Sequence, residues 1–276
     1  MVNGKNRISG FLPEKIKRSL RPVYKNWQKM MRRSFKPRTF NGPSMLAIDT
    51  FYGFEVAYRK NTTDEAVIGH SFDNDIFFSG VPEYQPNEGD VILDIGAHIG
   101  TFSLLASSKV GGGKVYAIEA SEESFNYLRV NIALNQLANI SAHHLALSDK
   151  TGTSTLYHSD SNWGHSTVKK LSTASETVIS QTLSDFLEKN RINGCHFMKL
   201  NCEGGEFPIL LSTPSRILQR FGVILTLYHC DLWSDNTEAD LISHLESSGF
   251  NCVVRNQKRN RGWIISTKME EMNPHD

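Results

Sequence analysis

Four short stretches of this chain place reactive residue types at spacings that support chemistry. Asp94, Gly96 and Gly100 stand in "VILDIGAHIG" (91–100), and Glu119 ends "VYAIE" (115–119). Asn201 and Glu203 lie in "KLNCEGGE" (199–206), and His229 follows Tyr228 in "GVILTLYHCD" (222–231). Each stretch begins with an apolar run that reads as a buried strand. Polar groups at the carboxyl ends of such strands stand where open α/β sheets bind ligands. Glu203 and His229 are the candidates to take a proton from a reacting hydroxyl. Asn201 can hydrogen-bond a ligand but cannot act as a base. Each has a plain structural alternative: Glu203 as a carboxylate holding amides of the next helix, His229 as the polar cap of its strand.

The first turn narrows the ligand. A dinucleotide fingerprint needs G-x-G-x-x-G after the first strand, and Asp94 stands where its first glycine would be. A carboxylate there repels a pyrophosphate and attracts a cation. S-adenosyl-L-methionine carries an ammonium and a sulfonium and no phosphate, so it is the expected cofactor. Gly96 allows the tight turn, Ala97 and His98 continue it, and Gly100 lets the next helix pack close. The helix start can receive the ligand's carboxylate. Glu119 is placed to accept hydrogen bonds from ribose hydroxyls, with Ala120 beside it. Ser148 and Asp149, in "ALSD" (146–149), are placed to meet an adenine amino group, and Tyr84 in "YQPNEGD" completes the cofactor set. The loop "SNWGHSTV" (161–168) offers Trp163 to stack on a substrate ring and His165 as a polar contact.

These residues need a scaffold that brings strand ends together, and the hydrophobic pattern supplies one. Apolar strands are expected at 91–95, 114–118, 139–145, 196–200 and 222–228, with a closing hairpin at 250–255 and 262–267. Helices are expected at 99–109, 122–136, 183–190, 206–220 and 237–248. Alternating strands and helices imply a parallel sheet with helices on both faces, and the hairpin turns one strand antiparallel. The fold class is α/β, Rossmann-like, with a mostly parallel seven-stranded sheet. Residues 41–82 read as a strand pair and lead-in, and residues 83–270 as the main domain.

Residues 1–40 hold twelve Lys or Arg and one acid, Glu14, whereas the rest of the chain carries a net charge of −10. In this arm Ile16, Leu20, Val23, Tyr24, Trp27, Met30 and Met31 recur at helical spacing. A basic amphipathic helix suits an anionic membrane surface or the acidic body of this or a second copy. No aromatic–basic interleaving for nucleic acid appears elsewhere. The four cysteines form no CxxC pair, so no metal site is expected from them. With no secretory signal pattern, the expected compartment is the cytoplasm, with peripheral membrane contact as an extension.

The quoted stretches, together with "LALSDKTGTSTLY", "TLSDFLE" and "HFMKLNCEGGEFPIL", resemble the FkbM-type methyltransferases over about Glu83 to Leu211. The resemblance implies a class I methyltransferase fold and S-adenosylmethionine-dependent methylation, mostly of hydroxyl oxygens of glycans and natural products. The family commonly has aspartate where Asn201 stands and often glutamate where Tyr228 stands. Those departures leave open an alternative, a methyltransferase-fold protein that binds without catalysis. A nicotinamide oxidoreductase is disfavoured by Asp94.

Overall fold

In a computed structural model the described residues are 45–73, 75–159 and 164–269. The basic arm and Trp163 lie outside them. The described chain enters through a hairpin, β1 (Met45–Phe51) and β2 (Phe54–Lys60), paired antiparallel around Tyr52-Gly53. Both turn residues have positive φ, 50° and 89°, as the type I′ turns that suit two-residue hairpins require. A short helix, α1 (Asp64–Ile68), runs into a wide turn at Gly69–Asp73.

The main sheet then forms from β3 (Val91–Ile95), β4 (Lys114–Glu119), β5 (Ile140–His144), β9 (Cys195–Leu200), β10 (Phe221–His229), β11 (Phe250–Lys258) and β12 (Arg261–Lys268). Their order across the sheet is β11-β12-β10-β9-β3-β4-β5. Pairing is parallel except at β12, which runs against both β10 and β11. Helices α2 (Thr101–Val110), α3 (Glu122–Leu134), α4 (Leu183–Lys189), α5 (Glu206–Ser212), α6 (Ser215–Leu218) and α7 (Glu238–Ser247) alternate with the strands. A side sheet of β6 (Ala146–Leu147), β7 (Gly152–Tyr157) and β8 (Ser175–Gln181), in the order β6-β8-β7, is inserted between β5 and α4. The central strands are buried along their length, which is why they read as unbroken apolar runs; Ile92, Leu93, Phe197, Met198, Leu200, Ile224 and Leu225 are nearly inaccessible. Among the described residues no helix is long and apolar enough to cross a membrane.

The seven strands and the single antiparallel member agree with the pattern in the sequence. Three details differ. The helix expected over 206–220 is broken, because Pro214 cannot continue α5 and starts α6 instead. The helix expected from 99 starts at Thr101, because His98 and Gly100 hold left-handed φ of 54° and 89°. The lead-in is built into the body: the Asn131 amide of α3 bonds the backbone of Ala57 in β2, and Arg255 pairs with Glu83.

The path from β3 runs to β4 and β5 and then returns to β9 on the other side of β3. This reversal opens a crevice beyond the carboxyl ends of β3 and β9, where open α/β sheets bind ligands.

Candidate functional site

A cavity of about 390 Å³ occupies that crevice, within the usual size of a small-molecule or cofactor site. Its floor is the turn after β3 and the end of β9: Gly96, Ala97, His98, Lys199 and Asn201. A Cβ on Gly96 would lie 2.0 Å from the Asn201 carbonyl oxygen, and φ there is +76°. Only glycine fits where the two strand ends meet.

On the β4 side, Glu119 is buried and faces the cavity. Its carboxylate accepts the backbone N–H of His98 at 2.7 Å and of Ser121 at 2.8 Å. Burial raises its pKa, and those two N–H bonds oppose the rise. Both oxygens are thereby oriented, with lone pairs left for hydroxyl donors. Ile118, Ala120, Leu145, Ala146, Leu147 and Leu156 form an adjoining apolar wall. His165 also lines the cavity; burial, with His158 beside it, pushes its imidazole down to about 3, so the ring is neutral.

On the β10 side the cavity meets a chain of charged groups. Glu206, fully buried at the start of α5, accepts the N–H groups of Cys202 (2.6 Å) and Gly204 (2.9 Å). It also lies 3.1 Å from His229 Nδ1. The other ring nitrogen, Nε2, is 3.5 Å from Glu203 Oε1. Arg261 approaches Glu203 at 3.5 Å while holding Asp231 through two bonds of 2.9 Å. Burial pulls the His229 pKa down, but Glu206, reinforced by Glu203, outweighs it, and the net shift is upward. Burial raises the Glu203 pKa against the pull of His229 and Arg261. Glu203 itself has φ of 48°, a left-handed conformation uncommon for a side chain with a Cβ. Its carbonyl is held by Ser166 Oγ at 2.7 Å.

The cavity therefore gathers Gly96, Ala97, His98, Glu119, Ala120, His165, Asn201, Glu203 and His229 from the residues singled out in the sequence. Five others stand elsewhere. Asp94 is turned into the fold, where its carboxylate accepts Ser103 Oγ (2.6 Å) and pairs with Lys199 Nζ (2.7 Å); the cation that it attracts is a lysine. Gly100 packs α2 against α3, since a Cβ there would meet Leu128 at 2.4 Å. Tyr84 lies at the amino end of β3, donating to Asp90 at 2.7 Å and stacked on Phe197. Ser148 and Asp149 bond each other beyond the wall made by Leu145 to Leu147.

The sequence reading missed Arg261 and Trp263, which line the cavity from β12. The available signal was the hairpin: an antiparallel β12 must begin where β10 ends, and His229 indeed pairs with Arg261. The structural alternative weighed for Glu203, holding backbone amides, falls instead to Glu206. Among the described residues no group of three or more His, Cys, Asp or Glu is arranged to hold a metal ion.

Comparison with solved structures finds similar folds at low identity. A precorrin-6y C5,15-methyltransferase from Geobacter metallireducens is 15% identical, with 69% of this chain and 85% of that chain covered and a TM-score of 0.44. An FkbM methyltransferase from Methylobacillus flagellatus is 17% identical, covering 69% of this chain and 46% of that one at a TM-score of 0.47. A SAM-dependent methyltransferase from Aquifex aeolicus is 18% identical, covering 73% and 93% at 0.42. No curated protein sequence matches the chain. The methyltransferase FkbM domain matches residues 94–252, more than half of the sequence, from the end of β3 through β10 into β11. The chain belongs to the FkbM family of methyltransferases, for which S-adenosylmethionine is the cofactor.

Proposed function

We propose that this protein is an O-methyltransferase that moves a methyl group from S-adenosylmethionine to a hydroxyl of a glycan or natural-product acceptor. The observation that carries the reading is His229, held by buried Glu206 through one nitrogen, with its other nitrogen toward Glu203 at the cavity. An alcohol must lose its proton as its oxygen is methylated, so it needs a base in the site. Thiol or amine acceptors depend on one less.

The residues fit the cofactor. Glu119, with both oxygens pre-oriented, suits ribose hydroxyls, and the wall of Leu145, Ala146, Leu147 and Leu156 suits an adenine ring. Gly96, Ala97 and His98 would hold the methionine portion, and Ala120 would adjoin the ribose. When bound, the cofactor supplies a methyl group on a positively charged sulfur. Glu203 and His229 are the proposed catalytic residues: they take the hydroxyl proton as a pair that shares one proton between Oε1 and Nε2. Asn201 contributes hydrogen bonds at the floor. His165 and Trp263 border the acceptor side, and Trp163 remains a proposed acceptor contact from the sequence.

The test is incubation of purified protein with methyl-labelled S-adenosylmethionine and a panel of glycans and hydroxylated small molecules. A base-stable methyl ether is expected, and its formation should fall at least about a hundredfold in His229→Ala, the usual scale of a general-base contribution. Label found only on nitrogen or sulfur would overturn the reading.

The basic arm of residues 1–40 is proposed to bind an anionic surface, either a bilayer or a second copy, and the body is proposed to act in the cytoplasm. Basic residues near an anionic bilayer add about 1 kcal/mol each. Cosedimentation with anionic vesicles and light scattering, on the full chain and on residues 41–276, separate the two partners. Loss of neither property on shortening would dismiss the arm as a docking element.

A further inference from the structure

Behind the turn that carries His98 lies a charged cluster that comes from outside the region matched by the family. Arg59 in β2 is 1% exposed, and Asp64 at the start of α1 is fully buried. They form a two-pronged pair, Nε to Oδ2 and Nη2 to Oδ1, both at 2.9 Å. The backbone N–H of Arg59 adds a third bond to Asp64 at 2.8 Å. The same guanidinium reaches Ser124 Oγ at 3.2 Å and Glu123 at 3.3 Å, and lies over the Tyr127 ring at 5.1 Å.

The cluster reaches the cavity through His98. His98 Nε2 is 3.3 Å from Arg59 Nη2 and 3.5 Å from Asp64 Oδ1. The ring of His98 is thus gripped from behind. In front, its backbone N–H is given to Glu119 Oε2 at 2.7 Å. Between the two contacts the backbone of His98 is in the left-handed region, φ 54°, which a residue with a Cβ adopts only when its surroundings impose it. A buried ion pair of this kind is weak evidence for stability, since well-packed apolar residues often serve as well. Its placement asks for another account.

We infer that Arg59 and Asp64 are positioning residues for cofactor binding. By fixing the His98 ring they fix the N–H that orients Glu119, and so set the ribose-binding carboxylate before the cofactor arrives. This inference rests on the assignment of Glu119 to the cofactor's ribose. It gives the β1–β2 hairpin and α1 a task in the site, although they precede the matched domain, which begins at residue 94.

The experiment is a double-mutant cycle read by calorimetric binding of S-adenosylmethionine to the full chain. The variants are Glu119→Gln, Arg59→Met with Asp64→Leu, and all three changes together. Removing both charges avoids leaving one buried alone. Arg59→Lys is measured beside them; it keeps the charge paired with Asp64 but lacks the fork that reaches His98, so it stays informative should the double change unfold. Each variant's thermal midpoint confirms that folded protein is titrated. The clamp and Glu119→Gln should each weaken binding about tenfold, and the combination should do no worse than the larger single effect, the signature of coupled sites. A cofactor analogue lacking ribose hydroxyls should bind wild type and clamp variants alike. If Glu119→Gln weakens binding but the clamp variants do not, or their effects simply add, the inference is overturned and the ribose assignment stands. If Glu119→Gln binds as wild type does, both fall together.

Discussion

Glu206→Gln is the most revealing single change, because it removes one negative charge and almost no volume. Glu206 now satisfies the N–H groups of Cys202 and Gly204 and holds His229 Nδ1. A glutamine offers one acceptor oxygen, so at least one of the two N–H groups faces an NH₂ instead. An unsatisfied buried donor costs roughly 1–3 kcal/mol, which for a chain of this size lowers Tm by about 2–12 °C. The electrostatic effect is more specific. The His229 pKa is raised because Glu206 and Glu203 outweigh burial; with Glu206 neutral, the main opposing charge is gone and the pKa should fall. In the wild type, His229 must be deprotonated to take a proton, so the acid limb of kcat/KM is expected above the ordinary histidine value of about 6.5, and in Glu206→Gln at lower pH than in the wild type. Stability follows the same sign. The raised pKa contributes stability that is fully present below about pH 6.5 and is lost as pH rises through the folded-state value; the variant should lose that acid-side advantage. The assays are kcat/KM from pH 5 to 9 and Tm over the same range. An acid limb that stays put, or moves upward, would refute the placement of His229 in the proton path.

Two further changes probe neighbouring charges. Arg261→Ala removes a cation that lowers the pKa of both Glu203 and His229, so the acid limb should move up, opposite to Glu206→Gln; a downward shift in the same pH profile would contradict the charge chain. Lys199→Met leaves Asp94 buried without its partner, a loss of about 3–5 kcal/mol, to be read as a fall of about 6–20 °C in Tm by calorimetry; an unchanged Tm would mean that the pair does not hold the floor.

The central strands were readable from the chain because β3, β9 and β10 are apolar runs buried along their length. Asp94 shows where such reading ends. Its position at a strand end was plain, but its partner was not: Asp94 and Lys199 are 105 residues apart and meet because β3 and β9 are neighbours in register. Charge pairing across non-consecutive strands leaves no local pattern. Arg261 is the milder case, since the hairpin implied its position once β12 was known to lie against β10. Tyr84 and Ser148 misled for a common reason. Both adjoin motif residues in sequence, yet Tyr84 sits at the amino end of its strand, and the chain turns away after Leu147. Closeness along the chain says little about which end of a sheet a side chain occupies.

Two residues with a Cβ, His98 and Glu203, occupy left-handed backbone on opposite banks of the crevice. Such a conformation costs of order 1–3 kcal/mol each and persists where the surroundings impose it. Glycine relieves that cost at either position. A search for heat-resistant variants of this protein should therefore return Glu203→Gly among its survivors, and those survivors should lose at least about a hundredfold in methyl transfer. Robustness and activity compete at position 203, and there the natural sequence keeps the carboxylate.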